Sequence, residues 1–191
     1  MILLIDLSCK ARSLSHNEFV SPVARIVERA GQEWHEAHFS ELTSDDFKEV
    51  KGIILCGTAL KDNLFATHVQ EFSWLRTIPV PVLGICAGMQ VLCLVFGGTI
   101  RPGYEIGMMT IRADTKGPLL GKSPEFTAYE LHSFACDPPR EWATIAVSDN
   151  GIQAICHPKK PLYGVMFHPE VRNDWVVEQF LSVCTGKNPE S

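Results

Sequence analysis

The sequence predicts an α/β fold: a three-layer sandwich whose central, mostly parallel sheet is flanked by helices and accompanied by a small antiparallel sheet. Short apolar runs alternate with amphipathic stretches through the first half of the chain, in the order β-α-β-α-β-α. The apolar runs are continuous rather than alternating, as in strands covered on both faces. Beyond Gly97 and Gly98 the pattern changes to short strands separated by turn residues.

Residues 2–7 form the first strand, followed by an amphipathic helix over 18–30. The run GIILC (52–56) is the second strand and 64–75 the second helix; PVLGI (81–85) leads into a third helix over 87–96, which Gly97 and Gly98 end. RPGYEIG and DTKGPLLGKSP supply turns, and extended runs follow at 126–131, 143–148, 152–156 and 162–167. In a closing helix over 174–184, Trp175, Val176, Phe180 and Val183 recur at helical spacing, so an apolar face docks on the sheet. Residues 187–191 read as a frayed tail.

A length of 191 residues fits a single domain spanning 1–191, and 46% hydrophobic with 20% charged residues is an ordinary globular composition. A net charge of −5 without a basic cluster argues against nucleic acid or an anionic membrane as partner. The seven cysteines are scattered and never spaced C-x-x-C, which disfavours a disulfide framework and a zinc site, so no metal is expected. No nucleotide-binding fingerprint is present, and no cofactor is expected. The apolar opening is interrupted by Asp6 and lacks a basic flank, so it reads as a strand rather than a targeting segment, and a cytoplasmic location is expected.

Gly84-Ile85-Cys86-Ala87-Gly88 lies between an apolar strand and a helix. In such a G-x-nucleophile-x-G turn the glycines let strand and helix approach closely. The central residue is held strained, its side chain exposed at the carboxyl edge of the sheet. The amides of the following helix, starting at Ala87, can lower a thiol pKa and donate to an oxyanion. A thiol nucleophile also needs a base and a group that orients the base. Tyr163–Val171, reading YGVMFHPEV, offers both: His168 follows a strand, and Pro169 favours the extended geometry that places Glu170 on the same side. Cys86, His168 and Glu170 are therefore the candidate catalytic residues.

PVLGICAGMQVL and PLYGVMFHPEV resemble the nucleophile and histidine–glutamate motifs of the class I, triad-type glutamine amidotransferases, and the resemblance covers nearly the whole chain. It implies a flavodoxin-like three-layer fold and hydrolysis of L-glutamine to glutamate and ammonia. By it, Cys86 attacks the amide, His168 shuttles the proton to the leaving ammonia and Glu170 orients His168. Gln90 falls on a glutamine-contacting position, and LHSFA resembles the segment that holds the substrate's amino-acid end, pointing to Ser133 and Phe134. In overall shape the chain looks like the free-standing glutaminase subunits of archaeal GMP synthases. With no second catalytic domain in view, ammonia is expected to pass to a separate synthase.

One departure bears on mechanism. Most members carry a Gly-Gly-Pro or Asn-Gly-Pro turn whose second residue donates its N–H to the oxyanion; here the stretch is Cys56-Gly57-Thr58-Ala59. A β-branched Thr58 resists positive φ, so the loop is expected to need a docked partner before it presents its amide. The alternatives are a stand-alone γ-glutamyl amide or peptide hydrolase with a roomier pocket, and a silent partner-binding module. Tyr104, Glu105 and Trp142 are candidates to border a partner surface, although a structural role is the more frequent one for such residues.

Overall fold

The computed structural model describes residues 1–11, 13–121 and 123–186; the tail expected over 187–191 lies outside the described residues. Its strands are β1 (Ile2–Asp6), β2 (Trp34–His38), β3 (Gly52–Leu55), β4 (Val82–Ile85), β5 (Thr99–Ala113), β6 (Glu125–Asp137), β7 (Ala143–Val147), β8 (Ile152–Cys156) and β9 (Leu162–Val165). Its α-helices are α1 (Ser21–Arg29), α2 (Leu64–Thr67), α3 (Ala87–Val95) and α4 (Trp175–Thr185).

Among the described residues the strands make one sheet in the order β2-β1-β3-β4-β9-β8-β7-β5-β6. Pairing is parallel from β2 through β9 and antiparallel from β9 onward. Every residue of β1, β3 and β4 is buried, which is why these strands read as unbroken apolar runs. Helices flank the sheet. α1 buries Val23, Ala24, Ile26 and Val27 and packs against α4, whose Val176, Val177, Phe180 and Leu181 are buried. α3 is buried along nearly its whole length, and Gly97, at φ 94°, ends it in the left-handed conformation that glycine adopts without strain.

The expected antiparallel strands are present, and they continue the parallel sheet through β8 and β9. β5 and β6 form a hairpin much longer than the turn residues suggested, because Pro102, Gly103 and Tyr104 lie at a register shift inside β5 rather than at its end. β2 was not expected: it is an edge strand with mixed burial, so its sequence lacks the apolar run of an inner strand. The helix expected over 64–75 is broken at His68 into α2 and a 3₁₀ stretch, Val69–Arg76. Among the described residues no helix is long and apolar enough to cross a membrane.

Candidate active site

Cys86 stands between β4 and α3 at φ 48°, ψ −101°, a region that costs a non-glycine residue about 1–3 kcal/mol. The surroundings enforce it. The Cys86 N–H donates to the Val165 carbonyl at 2.8 Å, tying the turn to β9. A Cβ on Gly84 would stand 2.4 Å from the Gly88 carbonyl carbon, and one on Gly88 would stand 2.4 Å from the Leu55 oxygen. Both glycines are required because backbone packs against them. Ala87 opens α3, where the first amides have no acceptor within the helix and face toward the turn.

β4 and β9 are parallel neighbours with Ile85 opposite Val165, so Cys86 and His168 leave the sheet at the same edge. The His168 N–H donates to the Tyr129 carbonyl on β6 at 2.9 Å. Its Nδ1–H donates to Glu170 Oε1 at 2.8 Å, and both side chains are only 1% exposed. That hydrogen bond sets the tautomer and leaves Nε2, buried and without a hydrogen-bond partner among the described residues, as the free nitrogen. The ring is held in place by the Phe19 ring, with centroids 5.5 Å apart, and by Gly57, where an added Cβ would lie 2.9 Å from Cε1. Burial alone would depress the imidazole pKa. The charge of Glu170, that of the Cys86 sulfur once ionised, and the hydrogen bond to Glu170 outweigh it, and the pKa lies well above the ordinary histidine value. The site therefore favours an imidazolium beside the thiol.

β6 roofs this arrangement. The Cys86 thiol directs its hydrogen at the Leu131 carbonyl, 3.7 Å away; Gln90 Nε2 donates to the Phe134 carbonyl at 3.2 Å, and Ser133 Oγ to Leu60 O at 3.2 Å. Thr58, Cys86, Ala87, Gln90, Ser133 and Phe134 line one narrow cleft. Gly57 instead supports the imidazole from behind. The expectation of an exposed elbow needs correction: Cys86 is 4% exposed, because β6 passes over the sheet edge that the sequence pattern left open. Thr58 is not among the residues with positive φ, and its hydroxyl donates to the Asp62 carbonyl at 3.0 Å, which fastens the loop in that pose.

Of the three residues suggested for a partner surface, Tyr104 is 72% exposed, but Glu105 and Trp142 are buried, at 4% and 5%. Trp142 packs edge-on against Phe96 and His157, and Glu105 accepts hydrogen bonds from Ser148, Asn150 and Gln153. Single aromatic and charged residues in a hairpin gave no sign of that enclosure. The sequence also gave no sign of Tyr129 and Leu131, which act through backbone carbonyls that any residue type carries.

An α/β sheet that brings a strained cysteine, an imidazole with its tautomer fixed and a buried carboxylate to one edge is built as an amide-cleaving thiol hydrolase is built. The chain belongs to the glutamine amidotransferase class-I family, whose sequence model matches residues 17–181. The glutamine-hydrolyzing GMP synthase subunit of Ignicoccus hospitalis is 40% identical over 180 residues, which are 85% of this chain and 90% of that one. Its counterpart from Methanothrix thermoacetophila is 38% identical over 144 residues, 70% and 76% of the two chains. A crystal structure of a Thermoplasma acidophilum protein superposes with a TM-score of 0.85 over 97% of this chain and 94% of that one, at 20% identity, a likeness of fold.

Proposed function

We propose that this chain is a glutaminase subunit that hydrolyses the side-chain amide of L-glutamine and delivers the ammonia to a separate synthase. The convergence of Cys86, His168 and Glu170 at one sheet edge carries this reading. Cys86 Sγ attacks the amide carbon, and the developing oxyanion is met by the N–H groups of Ala87 and Thr58. His168 gives its proton to the departing ammonia, leaving a thioester on Cys86. His168 then takes a proton from water as water attacks the thioester, and glutamate leaves with the thiol restored. Glu170 holds the imidazole in the reacting tautomer and stabilises the imidazolium. Gln90, Ser133 and Phe134 hold the amino-acid end of the substrate. No metal or cofactor enters these steps.

The free thiols suit a reducing cytoplasm. The names of the two relatives make a GMP synthase the preferred ammonia acceptor. Tyr104, Ile106 and Met108, exposed at 72%, 54% and 47% and spaced two apart along β5, offer that acceptor an apolar face beside the site.

Because Thr58 stays out of the left-handed region, docking of the synthase is the event that turns its amide toward the oxyanion. The test is ammonia release from glutamine by the chain alone and with a separate GMP synthase subunit added. Added synthase is expected to raise kcat at least about tenfold, the scale of one partly aligned oxyanion donor, and Thr58→Gly to raise the rate of the isolated chain. No glutamine hydrolysis in any mixture would end the glutaminase reading. Full activity without a partner would end the gating.

A further inference from the structure

The strand that roofs the cleft carries a second buried polar cluster. Glu130 and His132 alternate onto one face of β6, and Glu105 sits opposite His132 across the hairpin. Their exposures are 0%, 3% and 4%. One donor atom from each lies within 4.8 Å of the others, with His132 Nε2 3.2 Å from Glu105 Oε2 and 3.4 Å from Glu130 Oε2.

His132 Nδ1–H donates to the Gly103 carbonyl at 3.1 Å, so the ring turns the lone pair of Nε2 toward two carboxylates. Nε2 and both carboxylate oxygens of Glu130 are buried and have no hydrogen-bond partner among the described residues. Glu105, by contrast, is fixed: Oε1 accepts from Ser148 Oγ at 2.8 Å and Asn150 Nδ2 at 3.1 Å, and Oε2 accepts from Gln153 Nε2. A lone pair aimed at buried carboxylate oxygens is repulsive unless something positive lies between them. Direct charge-assisted hydrogen bonds would close these gaps to about 2.7–2.9 Å. The two separations from Nε2 instead match the edge of a tetrahedron, about 3.3 Å, that bonds of about 2.0–2.1 Å around a zinc ion define.

We propose that Glu105, Glu130 and His132 bind a divalent transition-metal ion, zinc foremost, between β5 and β6, next to the cleft that His132 helps to line. An imidazole nitrogen among the donors selects the zinc class over magnesium or calcium, which take oxygen. A histidine that donates its other N–H to a backbone carbonyl, and a carboxylate held by three donors, are the outer contacts that metal ligands need. The ion ties β5 to β6 at the register shift between Pro102 and Glu105, and so steadies Leu131, Ser133 and Phe134 over the cleft. It takes no part in the bond-breaking steps. Scattered cysteines pointed away from zinc, whereas this donor set contains no cysteine at all.

The competing occupant is a proton on Glu130. Chelator-treated chain carrying Cys86→Ser, which removes the reactive thiol as a ligand, is titrated with Zn²⁺ by calorimetry, with Tm followed in parallel. One equivalent should bind with micromolar or tighter Kd and raise Tm, and Co²⁺ should give ligand-field bands without thiolate charge transfer. Glu130→Gln and His132→Gln should each weaken binding about a hundredfold or more. Should His132→Gln fail to fold, Glu130→Gln carries the test, because an amide closely matches the neutral carboxyl. No stoichiometric uptake, or uptake unchanged in the variants that fold, overturns the proposal and leaves the proton as occupant.

Discussion

Cys86→Ala should reduce glutamine hydrolysis by at least about 10³-fold while Tm shifts little. The expectation separates chemistry from packing. The side chain is buried, but it is small, and its hydrogen bond to Leu131 O, at 3.7 Å, is weak. The strained backbone at φ 48° is enforced by Gly84, Gly88 and the Val165 carbonyl, none of which the substitution alters. Loss of the thiol therefore removes the nucleophile and little else. Residual activity near wild type would mean that another group attacks the amide.

His168→Ala should cost about 10³–10⁴-fold, because the ring is both the acid that expels ammonia and the base that admits water. Glu170→Gln should cost less, about 10- to 100-fold, since the base remains but is less well oriented. A second signature distinguishes the two. The carboxylate of Glu170 raises the His168 pKa, so the imidazolium persists below that raised value and is lost as pH climbs through it. Removing the charge lowers the pKa, and the alkaline limb of the kcat/KM profile of Glu170→Gln should move to lower pH. Equal losses in both variants would give Glu170 a larger electrostatic part. An unmoved alkaline limb would detach it from the histidine.

The sequence made the inner strands legible because β1, β3, β4 and β9 are buried among helices and read as apolar runs, and this placed Cys86 and His168 at strand ends. Gln90, Ser133 and Phe134, singled out by motif as substrate-binding candidates, line the cleft with Cys86. What escaped were features that depend on partners distant in the chain. β2 is an edge strand whose polar side chains follow no core pattern. The enclosure of Cys86 depends on where the hairpin crosses, which no local periodicity encodes. Glu105 meets His132 only through cross-strand register, and the shift after Pro102 alters that register from a simple count along the strands. Thr58 was legible as a departure from the family's turn, and its negative φ agrees with the preference of a β-branched residue.

The most direct test of the catalytic assignment is covalent. An α-amino diazoketone that mimics glutamine, incubated with the whole chain and followed by peptide mass mapping, should leave one adduct, on Cys86, among the seven cysteines. The adduct should form far more slowly in His168→Ala. Labelling of a different cysteine, or a rate on Cys86 indifferent to His168, would contradict the account.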